Sequence, residues 1–314
     1  AYRGFGAPQA MLVMETIIEA VAKRCALPVE TVQHVHLMKK DEITHYGQQV
    51  MYCKLDEMWK RVMTTSAYEK RQADVQAFND KSRWVKRGLA IVPTLYGINF
   101  PVRHLNQGGA LVCVYTDGTA VISHQAVEMG QGINTKCAQV AAQCLGIPVD
   151  TIHVADCSID KVPNTPPTAA SMGSDLACMA VLDACEKIRD RLQPVREANP
   201  GASFKQVCVT AWKQRVCLAA EGHYKTKKGA QYNWSMETTD NTDRGAAFSY
   251  HVFGVGCSEV EVDVLTGHFR VLRTDLLMDC GDPVNPVIDI GQVEGAFVQG
   301  MGWVTTEELI FGDA

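Results

Sequence analysis

Several features that mark large classes of protein are missing from this sequence. It has no apolar run long enough to cross a bilayer, because the best candidate, residues 10–22, carries Glu15 and Glu19. No signal-peptide pattern, internal repeat or low-complexity tract is visible. No basic stretch is interleaved with aromatic residues, and the net charge is −5. We therefore expect no membrane and no nucleic acid among its partners.

The spacing of the cysteines argues against the common metal motifs. The chain has 12 cysteines but no Cys-x-x-Cys pair, so we expect neither a zinc nor an iron–sulfur site within it. Cys137 and Cys144 are seven residues apart inside a helical pattern, as are Cys178 and Cys185, which places each pair on one helix face. We expect most cysteines to be small buried hydrophobic residues in a reducing cytoplasm.

The composition that is present is typical of a globular protein. The 314 residues are 46% hydrophobic and 21% charged, which suits one large or two medium domains with a sizeable core. The chain begins with Ala1 rather than Met and ends at Ala314, just after a strand-like run. We expect both ends to be cuts in a longer protein.

One stretch, residues 127–137, joins an extended run to a helical pattern through two glycines. Gly130 and Gly132 would let a bulky ligand approach the backbone, and a helix start offers N–H groups that suit an anion. Gln131 between them can both donate and accept hydrogen bonds. The same pattern also fits a strand-to-helix turn that needs glycine only for its own geometry. Both interpretations stay open at this point.

Three further predicted helix starts share this character. They are built from glycine or other small residues: Gly4 and Gly6 before Pro8, Ala170 with Ser171, and Gly291 with Gln292. A single glycine-rich helix start is weak evidence of function. Four of them predict backbone amides that converge on one polyanionic ligand.

Hairpin signals and long helical patterns together predict an α+β fold, with mixed sheets packed against long helices. Extended runs flank the Asp-Gly pair at 117–118 and the Thr-Gly pair at 266–267, which is typical of hairpins. Residues 39–86 are polar and helical in pattern, with one apolar face formed by Leu55, Met58, Trp59 and Val62. Residues 151–155 predict a short strand, and residues 225–246 predict an exposed loop.

Five segments of the chain carry a specific resemblance. They are Arg3-Gly4-Phe5-Gly6-x-Pro8-Gln9, Glu128-Met129-Gly130-Gln131-Gly132, Pro167-Thr168-Ala169-Ala170-Ser171, Cys257-Ser258-Glu259-Val260-Glu261 and Asn285-Pro286-x-Ile288-Asp289-x-Gly291-Gln292-Val293-Glu294-Gly295. In this order they closely resemble the molybdenum-binding region of the xanthine dehydrogenase/aldehyde oxidase family, over essentially the whole chain. Residues 96–100 and 105–110 resemble the xanthine dehydrogenases more than the aldehyde oxidases.

The resemblance implies the molybdopterin-binding part of a hydroxylase that oxidises hypoxanthine and xanthine to urate in purine catabolism, with oxygen from water. It implies a molybdenum–molybdopterin cofactor in this part, and 2Fe-2S clusters, FAD and NAD as electron carriers for the remaining domains of the same protein. Residues 1–86 would end a first molybdenum-binding subdomain, and residues 87–314 would form a second. The protein would be a cytoplasmic homodimer acting on a purine or another aromatic heterocycle.

The resemblance also assigns roles to individual residues. The main chain of Arg3 and Ala170 would contact the molybdenum centre, and Gln131 would donate to a metal-bound oxygen or to the dithiolene. The residues expected around the pterin and its phosphate are Met129, Gly130, Gln131, Ser171, Ser174 and Gln292. The residues expected to bind a flat substrate are Phe5, Phe100 and Pro101.

The chain departs from the family pattern in three places. Pro101 replaces the usual Thr, and Gln125-Ala126 replaces the usual Gly-Gly. The family's catalytic Glu lies in a Gly-Glu-Pro segment that this chain lacks, so no catalytic residue is expected in it and the general base would lie beyond Ala314. We therefore expect the second subdomain to be truncated before the glutamate segment, and the chain alone to be inactive.

Two other functions stay open beside the xanthine dehydrogenase interpretation. An aldehyde oxidase carries the same family motifs. A chain without the catalytic glutamate also fits a non-catalytic module for cofactor binding or dimerisation.

Three titratable groups outside the motifs have simpler explanations. Glu259 and Glu261 alternate on one strand and are expected to be ion-paired or solvated, because a catalytic carboxylate pair needs a shared cleft. His124 is expected to be hydrogen-bonded rather than metal-bound, because no second ligand lies at metal-binding spacing.

Overall fold

The computed structural model describes residues 3–226, 232–233 and 245–312. The helices of this part are α1 (Ala7–Cys25), α2 (Val29–Val35), α3 (Leu55–Thr65), α4 (Tyr68–Lys81), α5 (Ile133–Leu145), α6 (Gly173–Ala198), α7 (Phe204–Lys213) and α8 (Pro286–Thr305). The strands are β1 (Val85–Ile98), β2 (Gln107–Val114), β3 (Ala120–His124), β4 (Ile152–Val154), β5 (Ala219–Lys225), β6 (Tyr250–Asp263) and β7 (Phe269–Asp279). Most of the loop expected over 225–246 lies outside the described residues.

The strands form two sheets, which confirms the predicted α+β class. One sheet has the order β1-β6-β7 and the other the order β4-β3-β2-β5. Both predicted hairpins are present, because Val114 pairs with Ala120 and Val262 pairs with Phe269 in antiparallel registers. The short strand β4 pairs with β3 in parallel, across the α5 connection.

The chain separates into two compact units. The first holds the described residues up to Gly97 together with those from His251 to Gly281. The second holds the described residues from Ile98 to Tyr250 and from Asp282 onward. The subdomain boundary expected between residues 86 and 87 stays a prediction.

The core of the first unit forms where the apolar face of α3 was predicted. Leu55, Met58 and Trp59 of this face are buried, and they cluster with Ile91 and Phe253 from the three-stranded sheet. Burying an aliphatic or aromatic side chain of this size stabilises the folded state by about 1.5–3 kcal/mol.

The prediction of helix throughout residues 39–86 is wrong at both ends, because Val85 and Lys86 belong to β1 and residues 39–54 contain none of the described helices. They form an irregular turn, in which the Thr44 N–H donates to the Gln48 carbonyl and the Gly47 N–H donates to the Thr44 carbonyl. These local bonds satisfy the backbone in place of a helix.

The core of the second unit lies between its four-stranded sheet and helices α5, α6 and α7. Alternate residues of β2, namely Ala110, Val112 and Val114, are buried. Helix α6 lies very close to β5, since a Cβ atom added to Gly222 would come within 1.8 Å of the Ala180 carbonyl oxygen. Only glycine permits this helix-to-sheet distance.

The carboxylates Glu259 and Glu261 are ion-paired, as expected. Glu259 lies 2.8 Å from Arg71, and Glu261 lies 2.9 Å from Arg87 and 2.8 Å from Arg270. These pairs join the β6–β7 hairpin to α4 and β1 of the first unit and leave neither Glu259 nor Glu261 free. Within the described ranges, no helix combines the length and the apolar character needed to cross a membrane.

The expectation that most cysteines are buried is wrong. Five are buried, namely Cys137, Cys178, Cys185, Cys208 and Cys257. Cys144 is only half-buried, although Cys137 on the same face of α5 is fully buried, because Cys144 lies at the edge of the core beside Arg189.

Candidate functional site

The segment between β3 and α5 contains a tight loop, residues 127–132, called the central loop below. Its two glycines have left-handed backbone angles, with φ of +94° at Gly130 and +73° at Gly132. Such angles favour glycine because a Cβ atom would be strained there. Gly132 immediately precedes α5, so the predicted change from strand to helix through glycine is confirmed.

The start of α5 already holds an anion, and that anion belongs to the chain itself. One carboxylate oxygen of Glu128 accepts N–H bonds from Gly130 and Gly132, each of 3.0 Å, and the other accepts from the Asn134 N–H at 3.0 Å. Partial burial would raise the pKa of Glu128, but the backbone donors outweigh burial and hold this pKa below its ordinary value. The expectation that these amides are unpaired and available to a ligand is therefore wrong.

The Gln131 side chain stabilises the central loop through hydrogen bonds to the loop's own backbone. Its side-chain Oε1 accepts from the Met129 N–H at 2.6 Å, and its Nε2 donates to the Val127 carbonyl at 2.8 Å. A carboxamide nitrogen carries two hydrogens, and this bond uses one of them. For the second hydrogen the described residues offer no hydrogen bond, so Gln131 keeps one donor for a ligand.

Helix α8 packs directly against the central loop. The Gln292 Nε2 donates to the Gly130 carbonyl at 3.0 Å. Ile288 lies against Gly132 so closely that an added Cβ atom would come within 2.5 Å of the Ile288 Cδ1. The structure thus brings together Gly130, Gln131 and Gln292, three of the residues expected around the cofactor.

A partly buried ion pair joins α8 to α5, the helix that follows the central loop. Lys136 Nζ on α5 lies 3.2 Å from Asp289 Oδ1 on α8, and these side chains are only 12% and 21% exposed. One turn further along α5, the Gln139 side chain accepts a bond from the Asn285 amide. A pair of this kind adds little stability, but it specifies how the two helices meet.

The prediction that Gly291 and Gln292 open a helix is wrong. Helix α8 begins at Pro286, after Asn285, whose side chain accepts from the Ile288 N–H. Asn before Pro is a stronger start signal than Gly-Gln, because Asn supplies the cap and Pro fits the first turn. Gln292 reaches the central loop from the second turn of the helix.

The segment before α6 contains two consecutive strained residues. Ala170 and Ser171 have φ of 55° and 58°, left-handed values that cost a non-glycine residue about 1–2 kcal/mol each. Such strain concentrates at functional sites. This segment is tied to the central loop, since the Thr168 hydroxyl accepts from the Val127 N–H at 2.9 Å.

Phe100 is linked to the same segment through its neighbour. The Asn99 N–H donates to the Ala170 carbonyl at 3.2 Å. Asn106, which is only 2% exposed, then holds Phe100 by accepting from its N–H at 3.0 Å and donating to its carbonyl at 2.7 Å. The Phe100 side chain is half-buried, and Pro101 beside it has no N–H to offer.

The predicted site residues fall into two groups. Those in the second unit are Phe100, Pro101, Met129, Gly130, Gln131, Ala170, Ser171, Ser174 and Gln292. The contacts described above join the central loop, α8 and the 168–171 segment of this unit. Arg3 and Phe5 belong to the first unit, where Phe5 is 67% exposed.

The structure gives two side chains at the candidate site roles that were not predicted from the sequence. Glu128 stands shortly before a helix start, where acidic residues are favoured, and this signal would have identified it. Gln125, which departs from the family's Gly-Gly, is buried and accepts from the Gly109 N–H at 2.9 Å. This bond ties β2 to the end of β3, two residues before the central loop.

A second set of side chains near the central loop looks like a nucleophilic triad. Cys157 Sγ lies 3.7 Å from His124 Nδ1, and His124 Nε2 lies 2.9 Å from Asn134 Oδ1. Cys-His-Asn in this order is a known catalytic arrangement. Here the thiol donates instead to the Ala126 carbonyl at 2.8 Å.

The protonation directions argue against such a role. Burial raises the pKa of Cys157 and lowers the pKa of His124, and both directions oppose a thiolate–imidazolium pair. We assign Cys157 no nucleophilic function. His124 is satisfied by its bond to Asn134, as expected.

The donors around the central loop fit an anionic cofactor that brings its own metal ligands. The backbone at Gly130 is open, since no atom lies within 4 Å of an added Cβ. Gln131 offers an amide hydrogen, and the hydroxyls of Ser171 and Ser174 lie on exposed or half-exposed residues. These neutral donors suit dithiolene and phosphate groups.

The comparison with known proteins agrees with this chemistry. A model of the molybdopterin cofactor-binding domain family matches residues 61–314. The chain belongs to this family. Xanthine dehydrogenase of Dictyostelium discoideum is 46% identical over 99% of this chain and 22% of its own length. Xanthine dehydrogenase/oxidase of Mus musculus is 46% identical over 98% of this chain and 23% of its own length.

The chain thus spans less than a quarter of the length of these two curated relatives. The family resemblance found in the sequence is confirmed. The activity, substrates and partners of a whole protein are a separate question.

Solved structures confirm the fold. Aldehyde oxidoreductase from Desulfovibrio desulfuricans matches with a TM-score of 0.78 at 22% identity, over 96% of this chain and 32% of that one. CO dehydrogenase from Oligotropha carboxidovorans matches with a TM-score of 0.74 at 19% identity, over 93% of this chain and 39% of that one. At these identities the similarity concerns the fold alone.

The contact between the central loop and α8 predicts different effects for its two glycines. Gly132→Ala should cost about 1–2 kcal/mol of left-handed strain and about 1–3 kcal/mol more for displacing Ile288. Gly130→Ala should cost only the strain, because its added Cβ meets no atom. Urea unfolding of both variants measures the difference. Equal losses would show that α8 does not press on Gly132.

Proposed function

We propose that this chain holds the molybdopterin cofactor, and one wall of the purine site, of a xanthine-dehydrogenase-like hydroxylase. The observation that carries the proposal is the packing of α8 on the central loop, where Gln292 donates to the Gly130 carbonyl beside the Gln131 amide. Family membership and 46% identity to xanthine dehydrogenases support it.

In this proposal the cofactor is held by neutral donors. Gln131 donates its second amide hydrogen to it, and the hydroxyls of Ser171 and Ser174 bind the pterin and its phosphate. Met129 and Gln292 line the same site, and the main chain of Arg3 and Ala170 contacts the metal centre. When bound, the cofactor supplies the two-electron oxidation of the substrate, with oxygen from water.

The chain's own contribution to the reaction is orientation. The half-buried ring of Phe100, fixed through Asn106, offers a flat face on which an aromatic heterocycle stacks, and Phe5 supplies a second ring. Stacking limits the substrate to planar molecules and sets the position of the reacting carbon. The general base belongs to another part of the protein, so this chain alone does not turn over.

The remaining parts of the proposal concern the whole protein. We propose that 2Fe-2S clusters, FAD and NAD in other domains of the same protein accept the electrons, and that the protein is a cytoplasmic homodimer. Residues 1–86 and 87–314 are proposed as parts of two molybdenum-binding subdomains. The support for these points is the family resemblance.

Aldehyde oxidation is the second candidate function. The observation in its favour is Pro101, because a proline next to Phe100 has no N–H to donate to a purine. A small aldehyde depends less than a purine on stacking against Phe100. The two functions therefore differ in what they require of this ring.

The cofactor assignment predicts the effect of removing the Gln131 donor. In the full-length protein, Gln131→Ala should weaken cofactor binding by about 1.5–3 kcal/mol, the range for a hydrogen bond to a charged group. Molybdenum content and turnover should both fall. The matched control is Gln143→Ala, because Gln143 is an exposed glutamine on α5. Wild-type molybdenum content in both variants would contradict the role of Gln131.

The substrate assignment predicts a selective effect at Phe100. In the full-length enzyme, Phe100→Ala should lower kcat/KM for xanthine more than for a small aliphatic aldehyde. The lost stacking is worth about 0.5–1.5 kcal/mol, and a shift of about 1 Å in the reacting carbon adds up to about 10²-fold. Phe204→Ala, which removes a ring packed against the core of the same unit, should leave the ratio of the two values unchanged. Equal losses at Phe100 would favour the aldehyde function.

A further inference from the structure

The central loop owes its shape to side chains of its own segment. Glu128 takes the N–H groups of Gly130, Gly132 and Asn134, while Gln131 bridges two more backbone groups of the loop. The two glycine angles are left-handed, so the loop turns sharply around the Glu128 carboxylate. These internal bonds act together with the contacts that the loop receives from α8 and from Thr168.

The same carboxylate also changes what the helix start can do. The backbone N–H groups and the partial positive charge at the start of α5 would attract a phosphate if they were open. Glu128 accepts from two of these groups, the N–H of Gly132 just before α5 and the N–H of Asn134 in its first turn, and supplies the negative charge itself. An external anion would have to displace it.

We propose that Glu128 is a positioning residue for the cofactor, an inference that rests on the proposed function. Its carboxylate occupies N–H groups at the start of α5 and fixes the central loop. The cofactor then binds to the second amide hydrogen of Gln131 instead of to the helix start. The opposite arrangement makes Glu128 a placeholder, which a cofactor phosphate displaces on binding. The two arrangements predict opposite effects of removing the carboxylate.

The test compares variants of the full-length protein loaded with its cofactor. Glu128→Ala removes all three bonds. In Glu128→Gln the amide oxygen can still accept from Gly130 and Gly132, but an NH₂ group then faces the Asn134 N–H. The matched control is Asp263→Ala, since Asp263 accepts the backbone N–H groups of Leu265 and Thr266 in the β6–β7 turn.

The measurement is the rate at which molybdenum and oxidised pterin leave the protein, followed by metal analysis and pterin fluorescence after gel filtration. Thermal unfolding is recorded in parallel. Glu128→Ala should release the cofactor at least about tenfold faster, because tenfold corresponds to about 1.4 kcal/mol, near the low end for one hydrogen bond to a charged group. Glu128→Gln should lie between Glu128→Ala and wild type, and Asp263→Ala should release at the wild-type rate.

Release from Glu128→Ala that is as slow as wild type, or slower, would overturn the proposal, and slower release would identify Glu128 as a displaced placeholder. If Glu128→Ala does not fold, Glu128→Gln decides, and a wild-type rate in that variant overturns the proposal. If Asp263→Ala releases cofactor as fast as the Glu128 variants, the effect is general destabilisation and the proposal also fails. Wild-type protein that holds no molybdopterin would instead refute the proposed function.

Discussion

The bonds between the Glu128 carboxylate and three backbone N–H groups are the interaction on which the rest of the candidate site depends. They hold Gly130 and Gly132 in left-handed conformations and so determine where the Gly130 carbonyl and the Gln131 side chain lie. A carboxylate that accepts several backbone N–H bonds is strongly stabilised in its charged form. The lowered pKa of Glu128 agrees with this.

The fixed loop in turn provides the surface on which α8 packs. Gly132 leaves room for Ile288, and the Gly130 carbonyl accepts from Gln292. The ion pair of Lys136 with Asp289 specifies how α5 and α8 meet. It adds little stability, because desolvation offsets most of its attraction. A site of neutral donors is thereby assembled from elements far apart in sequence.

Local signals predicted much of the fold. The Asp-Gly and Thr-Gly turns predicted both hairpins, and the apolar spacing around Met58 predicted the buried face of α3. Prediction failed where short-range turn and capping bonds, rather than helix bonds, satisfy the backbone, as in residues 39–54. The acidic residue Glu128 before α5 was a usable signal, but its bonds to the Gly130 and Gly132 N–H groups could not be predicted, because they form only after the chain turns through two left-handed residues. The start of α8 was missed although Asn285-Pro286 signals it.

The most direct test of the proposed cofactor site locates the metal. Crystals of the full-length protein loaded with cofactor, measured at the molybdenum absorption edge, give an anomalous peak at the metal position. We predict this peak beside the Gln131 side chain, with the Glu128 carboxylate still bonded to the N–H groups of Gly130, Gly132 and Asn134. A peak remote from the central loop, or a cofactor phosphate at the start of α5 in place of Glu128, would contradict it.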